Sequence, residues 1–194
     1  MGYFRDGQEA SDELVAALEL FLEDPDGLAA ARAAGASIGG DAVVRFQLRE
    51  PDATVRLALA DTPAVEQGDS DGVPSVDIEI DADTFHDLMV DHLGAGHIAH
   101  AIELKKIRVD GAPRSLDALI VMAGALGDCY RRSLDARGRH DLLATPVPPP
   151  PGDWMVDVVG PELFIRNVIA ERRQRNERES GAGQGDPARP PVHP

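Results

Sequence analysis

The stretch Ser75–Gly111, SVDIEIDADTFHDLMVDHLGAGHIAHAIELKKIRVDG, decides the fold class, because its hydrophobic period changes twice. Val76, Ile78 and Ile80 alternate with Asp77, Glu79 and Asp81, the pattern of a half-buried strand. Phe85, Leu88, Met89 and Leu93 then recur at three- and four-residue spacing, the apolar stripe of an amphipathic helix. Lys106, Ile107, Arg108 and Val109 restore the alternation just before Asp110-Gly111. A sheet with one apolar face needs a cover, and helices of this kind supply it. The expected class is therefore α+β in two layers, a twisted and mainly antiparallel sheet covered by helices.

Towards the N-terminus, Ser11 reads as the N-cap of a first helix, with Leu14, Val15, Leu18, Phe21 and Leu22 as its apolar stripe. Asp24-Pro25 stops it, and Pro25 opens a short second helix through Arg32. Gly35–Gly40 reads as a glycine-rich break. Asp41–Glu50 and Ala53–Ala60 read as two strands joined by Pro51-Asp52, with Val44, Phe46, Leu48, Val55, Leu57 and Leu59 pointing inward. The acidic loop Gly68–Gly72 leads to Val76–Ile80, which this reading makes the third strand. On the other side, Ser115 caps a long helix to about Ala136. Within it, Gly124 and Gly127 either weaken the helix or mark a close approach.

The chain has 194 residues, 43% of them apolar and only 4% aromatic, so its core is aliphatic and small. The 34 acidic against 19 basic residues give a net charge of −15, which argues against a nucleic-acid backbone or an anionic membrane surface as main partner. Cys129, alone, offers neither an intramolecular disulfide nor a zinc spacing. Arg5–Glu13 carries no hydrophobic signal core, and the longest apolar run, Leu116–Leu126, is far short of the roughly 20 residues of a spanning helix. The expectation is a cytoplasmic protein without a membrane span.

After the long helix the composition changes. Pro146 and Pro148–Pro151 make a stiff spacer. Beyond it lie an apolar patch, Trp154, Met155 and Val156, and a helix-spaced set, Leu163, Phe164, Ile165, Val168 and Ile169. Such a surface needs a docking partner: its own domain, a second copy in a homodimer, or another protein. These residues are the expected partner-binding set. The arginines Arg172, Arg173, Arg175 and Arg178 follow, in a region whose net charge from Gly160 on is +1 against −16 for the remainder.

The order strand, acidic helix start, aromatic-Leu helix, Leu-containing turn, short Ala-rich helix, basic alternating strand ending in Gly, and closing helix resembles the sterol carrier protein 2 superfamily. VDIEI at Val76–Ile80 and DTFHDLMVDHLGAGHIAHAIELKKIRVDG at Asp83–Gly111 carry it, with Phe85, Leu88, Leu93, Ala99, Ala101, Lys106, Ile107, Val109 and Gly111 in the telling places. One departure is Lys105, where the family often has Gly. The resemblance implies a hydrophobic tunnel for a sterol, fatty acid or fatty acyl-CoA between sheet and helices. Its walls would be Phe85, Leu88, Met89, Leu93, Ile98 and Ile102, facing Leu116, Leu119, Ile120, Met122 and Ala123. The same residues also suit ordinary core packing.

Catalytic constellations are weak. His86, His92, His97 and His100 stand near Asp87 and Asp91, types that suit zinc or iron. His86 and His92 are six apart, on different sides of their helix, and the four read as surface histidines around the tunnel mouth. No nucleophile elbow or phosphate loop is present. Cys129, beside Arg131 and Arg132, reads as a helix-face residue rather than a nucleophile. Arg45, Arg49 and Arg56 belong on the outer sheet face, with Asp77 and Glu79 as cross-strand mates for Arg56. The expected organisation is a lipid-binding domain over 11–140, a Pro-rich linker at 145–153, a docking segment with an amphipathic helix at 154–179, and a disordered tail at 180–194. The expected function is non-enzymatic binding and presentation of a hydrophobic ligand, without metal or cofactor. The alternative is an assembly subunit of the same fold with a filled tunnel.

Overall fold

The computed structural model describes residues 2–69, 72–93, 97, 100–101, 103–111 and 113–148, with the side chains of 113–121 outside the description. Two helices come first, α1 (Gly7–Glu23) and α2 (Pro25–Ile38). The strands β1 (Val43–Arg49), β2 (Ala53–Ala58), β3 (Ala64–Gln67) and β4 (Val76–Asp81) follow, then α3 (Ala82–Met89), β5 (Ile107–Gly111), α4 (Pro113–Ala136) and a single turn, α5 (His140–Leu143). Among the described residues the strands form one sheet in the order β3-β2-β1-β4-β5. Its β1–β4 pair is parallel and the other three pairs are antiparallel.

The α+β class and the mainly antiparallel sheet are as expected; the details differ in four places. α1 starts at Gly7, because the Asp6 carboxylate accepts from the Glu9 amide and supplies the cap. Ser11 sits buried inside the helix, where its hydroxyl accepts from Gln67 of β3 at 2.8 Å. α2 runs past Arg32 to Ile38, and Gly35 is part of it: a Cβ there would lie 2.5 Å from the Leu59 carbonyl oxygen. The glycine allows the helix to rest on the end of β2. The sequence Ala64–Gln67 is a strand that alternation did not reveal, so Val76–Asp81 is the fourth strand. Finally, α4 begins at Pro113, with Ser115 inside it.

Lys105 takes φ 57°, the left-handed region that Gly adopts without strain, so a lysine makes the turn that leads into β5. The sheet's inner face carries Val44, Phe46 and Leu48, Val55 and Leu57, and Val76 and Ile80, all buried in one core with Leu14, Leu18 and Phe21 of α1 and Tyr130 and Leu134 of α4. On the outer face Asp69 and Gly72, between β3 and β4, meet Arg45 and Arg56, and this corrects the expected arginine pairing. Arg56 is buried and donates to the Gly72 carbonyl at 3.1 Å. Asp77 pairs with Arg45 at 2.6 Å, which holds its carboxyl below the usual carboxylate range, and Glu79 and Asp81 take Arg49 at 2.9 Å each.

The two α4 glycines have opposite meanings. Gly124 faces open space, whereas a Cβ on Gly127 would come within 3.1 Å of the Met89 carbonyl oxygen, where α3 abuts α4. Gly124→Ala should therefore raise stability by about 0.5–1 kcal/mol through helix propensity, and Gly127→Ala should not. Urea unfolding of the two variants checks this, and an equal gain from both would contradict the close approach.

Candidate functional site

The register places Ile78 beside Val109 and Ile80 beside Ile107, with Ile78 and Ile80 level with Phe46 and Leu48 of β1. In sheets, partners across a ladder share a face. Ile78, Ile107 and Val109 therefore belong to the same inner face as the core. Their environment is different. The face is sealed at β1 and β2, where Val44, Phe46, Leu48, Val55 and Leu57 are buried. Val76 and Ile80 of β4 are buried as well, and the face opens only at Ile78 and along β5, where Ile78 and Ile107 are half-buried and Val109 is 38% exposed. Leu104, just before β5, is 52% exposed.

The expected wall residues divide around this opening. Phe85 and Met89 are buried in the core together with Met122, and Leu88 packs against them half-buried. The Phe85 ring meets Phe46 and Tyr130 edge-on, with centroids 6.4 and 5.9 Å away. Leu93 and Ala123 are half-buried. Ile98, Ile102 and the side chains of Leu116, Leu119 and Ile120 lie outside the described residues, as does the whole partner-binding set from Trp154 to Ile169. Ile78, Ile107 and Val109 were not among the expected walls, although their alternation is plain in the sequence. What was missing was the pairing of β4 with an edge strand.

The histidines are not one surface group. His86 is fully buried, corrected from the expected position at a mouth. Its Nε2 lies 3.1 Å from the Leu142 carbonyl, which can only accept, so Nε2 carries the proton. Nδ1 then accepts from the Tyr130 hydroxyl at 2.9 Å. Burial lowers the His86 pKa from 6.5 to about 4, keeping the ring neutral. His92 contacts the Asp87 carboxylate at 3.3 Å, and burial raises the Asp87 pKa. Among the described residues no group of His, Cys, Asp and Glu is arranged to hold a metal ion. Cys129 is buried in α4, and desolvation raises its pKa, away from a reactive thiolate.

A polar concavity of about 270 Å³ lies at the N-terminal part of α1, lined by Arg5, Glu9, Glu13, Arg137 and Arg139 among others. Glu13 is 2% exposed and pairs with Arg139 and, at 3.3 Å, with Arg137. This cluster ties α1 to the α4–α5 turn. Also among the described residues, no helix is long and apolar enough to cross a membrane.

No family model matches the chain, and no curated protein matches it in sequence. Solved structures do resemble it. Sterol carrier protein 2 from Yarrowia lipolytica, in its apo form, is 17% identical, covers 69% of this chain and 98% of its own, and superposes with a TM-score of 0.43. A UbiJ-SCP2 ubiquinone synthesis protein is 16% identical over 61% of this chain and 90% of its own, with a TM-score of 0.44. The sterol carrier protein domain 2 of Helicoverpa armigera is 15% identical over 64% and 87%, with a TM-score of 0.40. These likenesses are partial, with TM-scores of 0.40 to 0.44.

Proposed function

We propose that this chain is a non-enzymatic carrier, working in the cytoplasm, that buries an apolar ligand against the inner face of β4 and β5 beneath α3 and α4. The ligand would be a sterol, a fatty acid or a fatty acyl-CoA. The observation that carries this reading is the unequal cover of one continuous apolar face, sealed at β1 and β2 and open at Ile78, Ile107 and Val109. Core strands do not leave such a face open unless something else covers it, since each buried CH₂ group is worth about 0.8 kcal/mol. An acyl chain or sterol laid on these residues would complete the core. Presentation to a client protein through the segment after the Pro-rich stretch belongs to the same proposal, with Trp154 to Ile169 as its docking residues.

The test is titration with a fluorescent fatty acid, displaced by palmitate, palmitoyl-CoA or cholesterol. Saturable binding near one per chain is expected, and the displacing compound names the class. Val109→Lys, at an exposed edge position that tolerates a charge, should weaken binding about tenfold or more by placing an ammonium group against the ligand. A chain that binds none of these compounds would overturn the carrier reading.

A further inference from the structure

We infer that residues 139–146 form a strap that fixes α3 in place, so that the root of the Pro-rich segment and the wall of the apolar site move as one unit. α3 has eight residues, too few to hold its conformation or position without tertiary contacts. One of its sides packs into the core through Phe85 and Met89, and Arg131 of α4 donates to the Met89 carbonyl at 3.0 Å. The other side is held by the two ends of the described chain. His86 donates to the Leu142 carbonyl, and the same N–H lies 3.0 Å from the Thr145 hydroxyl. The Tyr3 amide donates to Asp83 at 2.8 Å, and the Tyr3 hydroxyl lies 3.0 Å from Asp87 and 3.3 Å from the Pro146 carbonyl.

The strap is itself anchored at its far end. Arg139 pairs with Glu13 and, at 2.9 Å, with Glu9 of α1, and Leu142 is buried in the core. The segment from Arg139 to Pro146 thus bridges α1 and α3 and leaves the domain beside the helix that supplies Phe85, Leu88 and Met89 to the apolar site. A change in the strap reaches these three residues through His86 and Asp87, which lie between Phe85 and Leu88 on the same short helix. Freeing the strap therefore loosens α3 and speeds the release of a bound apolar ligand, a consequence that rests on the function proposed above.

The double variant Tyr3→Phe/Thr145→Val, made in the full chain, removes two hydroxyls and keeps the side-chain shapes. Hydrogen exchange is followed in peptides covering 82–92, 139–146 and, as a control, 43–49, together with dissociation of the fluorescent fatty acid. Exchange should rise roughly tenfold in 82–92 and 139–146 together, with 43–49 unchanged, and the ligand should leave several-fold faster. Faster exchange in 139–146 with 82–92 unchanged, or no change in either, would overturn the strap. If the unsubstituted chain binds no ligand, the carrier reading fails while the exchange data still decide the coupling.

Discussion

Tyr130→Ala is expected to lower the stability of the chain by about 4 kcal/mol, and Tyr130→Phe by about 1–2 kcal/mol. Tyr130 is fully buried and stands where α4 meets α3. Its ring packs edge-on to Phe85 and His86 of α3, with centroids 5.9 and 5.8 Å away. Truncation to alanine opens a cavity between α4 and α3 and also leaves His86 Nδ1 without its donor. Phenylalanine keeps the packing and removes only the hydroxyl, so the smaller loss isolates the unsatisfied nitrogen. Burial also pushes the Tyr130 phenol well above its ordinary pKa, so it is a reliable donor throughout the accessible pH range. Urea unfolding followed by far-ultraviolet circular dichroism measures both losses. A phenylalanine variant as unstable as the alanine one would show that the hydroxyl, rather than the ring, holds this junction.

How much of this was legible in the sequence follows from which interactions set each feature. The β1, β2 and β4 faces and the stripe of α1 were readable because alternation and helical spacing report burial directly. The inward sets of Val44, Phe46, Leu48, Val55, Leu57 and Leu59 are all buried as expected. β3 was not readable: Ala64–Gln67 holds one half-buried valine and two exposed polar residues, and it is a strand because β2 pairs with it. The start of α1 was misplaced because Asp6 takes the capping role expected of Ser11. His86 was misread for a different reason. Its burial depends on Leu142 and Tyr130, far along the chain, and nothing within its own helix announces them. Phe85 and Met89 were legible from spacing as buried residues, whereas the open face at Val109 needed the β4–β5 register.

The second large effect is a loss of stability on mild acidification, and its sign follows from His86. In the unfolded chain this imidazole titrates near its ordinary value of 6.5, while in the native protein burial holds it at about 4. Between these values the unfolded state binds the proton and the native state does not, so stability falls as pH falls from about 6.5 to about 4 and this contribution is flat below. The full loss is about 3 kcal/mol at 1.36 kcal/mol per unit. Asp87 acts in the opposite direction, because its raised pKa lets the native state take a proton earlier than the unfolded one, which offsets part of the loss at the acid end. The other charges that act on the His86 ring are His92 and Arg139, which disfavour its protonation, and Asp141, which favours it. Urea unfolding of the wild type and of His86→Gln at pH values of about 7, 5.5 and 4.5 isolates the histidine. Glutamine can still donate to the Leu142 carbonyl but does not titrate. The variant should be less stable at neutral pH, and its stability should depend on pH less steeply by about one proton over this window. Parallel slopes for the two proteins would mean that the acid sensitivity resides in the surface carboxylates instead.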